Sequence, residues 1–122
     1  MAKILLIEDE EAVREMLLDE LSVQGHDMSE AANGAEGLKK FLEDTPDLVL
    51  CDRAMPGMSG YDVLACLRAD HPQYDTIPFV FLTALTDPRD KGAVDHLGAA
   101  DYIEKPVDFK VLIKKINVLL QK

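Results

Sequence analysis

Three short runs of uninterrupted apolar residues limit what this chain can fold into: Ile4, Leu5, Leu6, Ile7; Leu48, Val49, Leu50, Cys51; and Phe79, Val80, Phe81, Leu82. Runs of this length are too short for helices and lack the polar alternation of a half-exposed strand. Each therefore reads as a strand covered on both faces, the signature of a parallel sheet. Parallel neighbours need long crossover connections, and the intervening sequence supplies them.

Residues 11–24 carry Val13, Met16, Leu17 and Leu21 at helical spacing, with acidic Glu10 and Glu11 at the start and Gly25 as the stop. A weaker strand follows at 27–31, with Met28 as its one large apolar residue. Asn33 and Gly34 form a turn before a helix at 35–42, which Pro46 and Asp47 terminate. After a Pro56-Gly57 loop, Ser59 and Asp62 resemble a capping box that opens a helix through Tyr61, Val63, Leu64 and Leu67. Residues 68–78 are polar and turn-rich. Asp87 and Pro88 suit the cap and first position of a helix reaching Leu97, with Gly98 beyond it. A short strand at 101–103 precedes the last helix, capped by Asp108 and striped by Phe109, Leu112, Ile113, Ile116, Leu119 and Leu120. The repeat is β-α, about five times over, and its outcome is an α/β fold: a parallel sheet with helices on both faces. Residues 1–122 read as a single domain without a linker.

The strand ends carry the chemistry. The first apolar run leads into Glu8 and Asp9, the second into Asp52, the third into Thr83, and Tyr102-Ile103 leads through Glu104 to Lys105. In open parallel sheets ligands bind outside the carboxyl ends of the strands. Crowded carboxylates repel, and a hard divalent cation with oxygen ligands resolves that repulsion. Charge and fold point to one place, a metal-assisted phosphoryl site.

Composition excludes other classes. With 13 basic and 23 acidic side chains the formal charge is -10, which argues against non-specific binding to nucleic acid or anionic membranes. No apolar stretch approaches the ~20 residues of a membrane span. Strand-like sequence begins by Ile4, leaving no room for a signal peptide, so a cytoplasmic location is expected. Cys51 and Cys66 lie in apolar segments and read as buried free thiols. The methionines and Phe41 read as core. His26, His71 and His96 are too scattered for a zinc or phosphohistidine role.

The ordered set resembles the receiver domain of two-component response regulators along the whole chain. The resemblance rests on Glu8-Asp9 after the first strand and on Asp52 followed by Met55-Pro56-Gly57-Met58-Ser59-Gly60. It continues with Thr83-Ala84 and with Asp101-Tyr102-Ile103-Glu104-Lys105-Pro106. One departure is a Glu-Asp acidic pair where Asp-Asp is commoner. The resemblance implies a flavodoxin-like (CheY-like) doubly wound sheet of strand order 2-1-3-4-5.

It also implies roles. Asp52 would accept a phosphoryl group from a sensor histidine kinase or a histidine phosphotransfer protein. Glu8, Asp9 and Asp52, with the backbone carbonyl of Ala54 and water, would bind Mg2+. Thr83 would hydrogen-bond a phosphoryl oxygen, and Lys105 would give its charge to the phosphoryl group or, before modification, to Asp52. A cis Lys105-Pro106 bond would aim the lysine. Tyr102 would turn inward with Thr83 as a switch, altering the surface of the helix at 88–97, the last strand and the last helix. That surface would meet a downstream target or output domain, or form a homodimer. Ala54 and Leu85 would flank the phosphoryl group and govern the attacking water.

Taken singly, each residue has a plainer reading. Asp52 could cap local amides, Glu8 could be a solvated helix-entry charge, and Asp9 is also placed to help cap the first helix. Thr83 could be an ordinary strand-end threonine, Lys105 a solvated lysine and Tyr102 a half-buried strand aromatic. Three other functions compete with the receiver reading. A Mg2+-dependent aspartate-nucleophile phosphatase of the haloacid dehalogenase type needs a general acid two residues after the nucleophile, where Ala54 stands, and a cap domain. A dinucleotide fold needs a Gly-rich loop after the first strand, and none is there. A non-phosphorylated scaffold receiver would have no need of Glu8, Asp9, Asp52, Thr83 and Lys105 together. The expected activity is not that of an enzyme on other substrates: the domain would catalyse only its own phosphoryl transfer and hydrolysis.

Overall fold

The computed structural model describes residues 2–84 and 98–121. The sheet has five parallel strands: β1 (Lys3–Ile7), β2 (Asp27–Ala31), β3 (Leu48–Asp52), β4 (Phe79–Thr83) and β5 (Asp101–Glu104). Its order, β2-β1-β3-β4-β5, is that of the doubly wound flavodoxin-like sheet. The helices are α1 (Glu11–Val23), α2 (Gly34–Glu43), α3 (Gly60–Asp70) and, last in the chain, α4 (Phe109–Leu120). The predicted helix at 88–97 lies outside the described residues, as do Leu85 and His96.

Strand periodicity divides the core. Ile4, Leu6, Leu48, Leu50, Val80, Leu82 and Ile103 point to the face covered by Leu17 and Leu21 of α1 and Leu112 and Ile116 of α4. The alternate positions Leu5, Ile7, Val49, Cys51, Phe79 and Phe81 point to the face covered by Phe41 of α2 and Val63, Leu64 and Leu67 of α3. The central strands β3 and β4 are buried throughout, which is why they read as unbroken apolar runs. By contrast β2, at the sheet edge, buries only Ala31 fully and gives the faint signal noted above.

Several ends are set by local chemistry. Ser59 and Asp62 form the reciprocal capping box of α3, and Asp108 accepts from the amides of Lys110 and Val111 to open α4. Gly25, with φ of +92°, follows α1 in the left-handed conformation that ends a helix cheaply only at glycine.

Other expectations need correction. Asn33 and Gly34 do not form a separate turn: Asn33 caps α2 by accepting from the Glu36 amide, and Gly34 is its first residue. Helix α3 continues to Asp70 and is followed by a 3-10 turn at Pro72–Tyr74, so part of the polar stretch is helical. Asp9 does not cap α1, because Glu10 occupies that position and makes no side-chain cap bond. Met16 is not core but stands exposed on α1. Cys66 is only half-buried, unlike Cys51, though both thiols are free.

Candidate functional site

Register brings the polar strand ends together. Ile7 pairs with Cys51, so Glu8 and Asp52, each one residue further on, stand side by side. Asp52 pairs with Leu82, the residue before Thr83, and Thr83 pairs with Glu104, the residue before Lys105. Four adjacent strands thus deliver these groups to one carboxyl edge, because parallel pairing puts every strand end on the same side.

The resulting cluster is largely sheltered. Glu8 is 0% exposed, Asp52 6% and Thr83 2%, burial that charged groups tolerate only when paired. Lys105 provides the pairing: its Nζ donates to Glu8 Oε1 at 2.8 Å and lies 3.3 Å from Asp52 Oδ2. The Lys105–Pro106 peptide bond is cis. The other Glu8 oxygen, Oε2, accepts from the Glu10 amide at 3.3 Å, while Arg14 Nη1 donates to the Glu8 carbonyl at 2.8 Å. Asp52 Oδ1 accepts a longer bond, 3.4 Å, from the Ala54 amide.

The electrostatics follow from this packing. Burial pushes the Glu8 carboxyl up to about 7; Lys105 opposes the shift and the neighbouring Asp52 carboxyl adds to it. Burial alone would lower the Lys105 ammonium, yet the two carboxylates outweigh it and hold its affinity for the proton above the ordinary value. Glu8 therefore keeps its proton further toward neutral pH than an exposed glutamate would.

Carboxylate oxygens of Glu8, Asp9 and Asp52 all lie within 4.8 Å of one another, and Asp9 is exposed to solvent. Three hard anionic donors at one open edge suit Mg2+, which prefers a few carboxylates and retains several waters. The donor set fits that ion. Thr83 ends the adjoining strand β4. Tyr102 is half-buried on β5, packed against the cluster on the α2–α3 face, with Lys115 Nζ 5.2 Å from its ring centroid. Leu85 lies outside the described residues.

Two features were not read from the sequence. One is the bond from Lys105 to Glu8 across 97 positions. The other is the tightness at Gly60, where an added Cβ would meet the Asp52 carbonyl oxygen at 2.5 Å. The Ser59-Gly60 pair after the Pro56-Gly57 loop was the available signal for it.

Fold and site together define a doubly wound α/β domain with a buried acidic cluster at its carboxyl edge, and comparison with known proteins places it. Residues 4–117 match the response regulator receiver domain family, and the chain belongs to that family, the receiver domains of two-component systems. It is 38% identical over 122 residues to the transcriptional regulatory protein AfsQ1 of Streptomyces coelicolor, covering 100% of this chain and 52% of that protein. It is 35% identical over 120 residues to Protein PilH of Pseudomonas aeruginosa, covering 98% of each. The chain thus spans about half the length of AfsQ1 and of similar transcriptional regulators, but nearly all of PilH. Among solved structures, the chemotaxis protein CheY4 of Vibrio cholerae superposes with a TM-score of 0.90 at 30% identity, covering 98% of both chains. The signal receiver domain of a histidine kinase from Syntrophus aciditrophicus gives 0.90 at 35% identity, covering 99% of this chain and 91% of that one.

Proposed function

We propose that this receiver accepts a phosphoryl group on Asp52, from the phosphohistidine of a sensor histidine kinase or a histidine phosphotransfer protein. The observation that carries the reading is a buried Asp52 carboxylate flanked by Lys105 and by two further carboxylates within metal-sharing distance. In the step, an Asp52 oxygen forms a bond to phosphorus as the phosphorus–nitrogen bond to the donor histidine breaks. The electron pair returns to the imidazole nitrogen, which takes up a proton. The chain's part is positioning and charge neutralisation, the main contributions a protein makes to phosphoryl transfer.

Glu8, Asp9 and Asp52, with the Ala54 carbonyl, are the groups that would hold Mg2+, which when bound supplies positive charge to the phosphoryl oxygens. Lys105 gives a second positive charge from the β5 side, and Thr83 offers its hydroxyl to a phosphoryl oxygen. The contact of Lys105 with Glu8 adds a function to these roles, since the lysine compensates the adjacent carboxylates whenever no cation is bound.

Phosphorylation then biases a two-state element. Thr83 is drawn toward the phosphoryl group, and Tyr102 turns into the space it leaves. The surface around β5 and α4 and the segment at 88–97 changes accordingly. That surface serves a downstream target or output domain, or a homodimer in the active state. The domain acts on itself alone, catalysing its own phosphorylation and hydrolysis, and works in the cytoplasm where a kinase donor would meet it. Neither nucleic acid nor membrane is a direct partner. The scaffold alternative is disfavoured by the intact acidic and basic set. The phosphatase alternative is disfavoured by Ala54, whose exposed methyl group can donate no proton.

The test is incubation with acetyl phosphate and Mg2+ followed by intact mass measurement. One added phosphoryl mass is expected, absent in Asp52→Ala and absent with excess chelator. Labelling that persists in either case would refute the assignment.

A further inference from the structure

The turn from β1 to α1, residues 8–10, carries two of the three carboxylates of the acidic cluster, Glu8 and Asp9. Sheet pairing of β1 ends at Ile7, which lies opposite Ala31 on one side and Cys51 on the other. One further backbone bond ties the turn to the sheet, from the Glu8 amide to the Ala31 carbonyl at 3.0 Å. The Glu8 carbonyl lies past the last paired residue. Glu8 is wholly buried, and a buried carbonyl without a partner is costly. Arg14, the fourth residue of α1, supplies the partner: its Nη1 donates to that oxygen at 2.8 Å.

This oxygen bears on both carboxylates of the turn. It belongs to the peptide unit that joins Glu8 to Asp9, and a peptide unit is planar. Holding the oxygen therefore restrains ψ of Glu8 and φ of Asp9 together, and with them the directions in which the two side chains leave the backbone. The Glu8 carboxylate has contacts of its own, with Lys105 Nζ and with the Glu10 amide. Asp9 is exposed, and among the described residues no hydrogen bond or ion pair holds its carboxylate. The backbone beneath Asp9 therefore sets where it points.

The arginine is itself fixed. Its Nε donates to Glu30 Oε1 of β2 at 3.2 Å, and its side chain is only 14% exposed. Two donors of one rigid fork thus reach two different elements, which an ammonium could not imitate. Leu17 and Leu21 already pack α1 on the sheet. What the Arg14 fork adds is a brace between β2 and the turn.

We propose that Arg14 is a positioning residue for the cation site, acting through the Glu8 carbonyl to hold the Glu8 and Asp9 carboxylates in place, with Glu30 as its anchor. The inference rests on the metal-dependent reading of the site given above. Charge and geometry make opposite demands here. A guanidinium beside the site repels a cation, so by charge alone its removal would strengthen Mg2+ binding. Mg2+ demands near-ideal octahedral geometry, so by positioning its removal weakens binding. Glu30 offsets the charge of Arg14, and groups that orient metal ligands typically carry about 10–100-fold in affinity. Positioning therefore prevails.

The test is Mg2+ titration of the full, unphosphorylated chain, followed through the amide resonances of Asp9 and Asp52, in the parent, Arg14→Met and Arg14→Lys. Arg14→Met keeps an apolar stem and removes both charge and donors. Arg14→Lys keeps the charge, but its ammonium ends one bond short of Nη1 and stays with Glu30. Both variants should bind Mg2+ about tenfold more weakly than the parent. In labelling with acetyl phosphate, the Mg2+ concentration that gives half the maximal rate should rise by the same factor, while the rate at saturating Mg2+ falls less. Should Arg14→Met not fold, Arg14→Lys alone decides. A variant that binds Mg2+ as tightly as the parent, or more tightly, would overturn the role of Arg14 and leave the reading of the site intact. A parent that binds no Mg2+ would overturn both.

Discussion

Lys105 holds Glu8 more closely than it holds Asp52, with Nζ 2.8 Å from Glu8 Oε1 and 3.3 Å from Asp52 Oδ2. The ammonium is shared, and a metal at the acidic edge would release it from Glu8. Replacing it with Met removes the only cation contacting both buried carboxylates among the described residues, and a proton on Glu8 takes its place. The fold should survive because that proton compensates. Phosphoryl transfer should not, and the initial labelling rate of Lys105→Met with acetyl phosphate should fall about 10²-fold. An unaltered rate would remove Lys105 from the mechanism.

The raised Glu8 carboxyl makes both metal affinity and stability depend on pH. Its proton must leave before a cation can use both oxygens, so Mg2+ affinity should rise about tenfold between about pH 6 and about pH 8. Without metal the sign for stability is reversed. The folded state holds this proton to about 7 and an ordinary glutamate only to about 4.5. The contribution is therefore fully present below about 4.5 and lost as pH rises through about 7, at most about 3 kcal/mol. Urea unfolding in chelator should show that decline in the parent protein and a shallower one in Glu8→Gln. Equal slopes would mean that Glu8 does not carry it.

The sheet was legible because β3 and β4 are buried on both faces, so their sequences have no polar position to confuse with a helix. Strand β2 was faint because its edge position leaves Asp27, Ser29 and Glu30 exposed. Helix ends were readable where one side chain fixes them, as at Ser59 and Asp108. They were misread where backbone context decides, as at Asp9 and at the extension of α3 to Asp70. Met16 has the spacing of a core residue but sits one position off the buried stripe of Leu17 and Leu21. The convergence of Glu8, Asp9, Asp52 and Lys105 followed from parallel strand ends alone. Which carboxylate the lysine prefers depends on side-chain reach at the edge, and no local pattern encodes it.

Gly60 should tolerate no side chain. Its ideal Cβ would lie 2.5 Å from the Asp52 carbonyl oxygen and 3.1 Å from both Arg53 Cα and Phe81 Cε1. Alanine is the better helix former, yet the clash is with backbone that cannot yield. Gly60→Ala should cost about 1–3 kcal/mol and slow labelling of Asp52 by shifting it. At Gly57 the φ of +78° is met by open space, so alanine there should cost only about 1 kcal/mol and leave labelling unchanged. Chemical denaturation beside labelling kinetics separates the two cases, and a harmless Gly60→Ala would show that the contact yields.

Tyr102 offers a direct view of the proposed switch. Its ring packs on the α2–α3 face, with Lys115 bound to its carbonyl oxygen at 2.9 Å and near its ring. A phosphoryl mimic at Asp52 should change the Tyr102 and Lys115 resonances as much as those of Thr83 and Ala84. Changes confined to Glu8, Asp9, Asp52 and their sequence neighbours would rule out propagation along β5.

The lifetime of the phosphoryl group should depend on what can hold water beside it. Ala54 follows Asp52 by two positions and is exposed, and its methyl group has nothing to offer a water molecule. Leu85 stands two positions after Thr83 in sequence, and an apolar residue there would likewise fail to orient the nucleophile. Hydrolysis relies on that orientation, so phosphorylated protein should decay slowly. Ala54→Asn combined with Leu85→Glu supplies an amide and a carboxylate, and should shorten the half-life about tenfold or more. The measurement is loss of phosphoryl mass after donor removal, in Mg2+, for parent and double variant side by side. A double variant that decays no faster would assign the rate to residues other than these two.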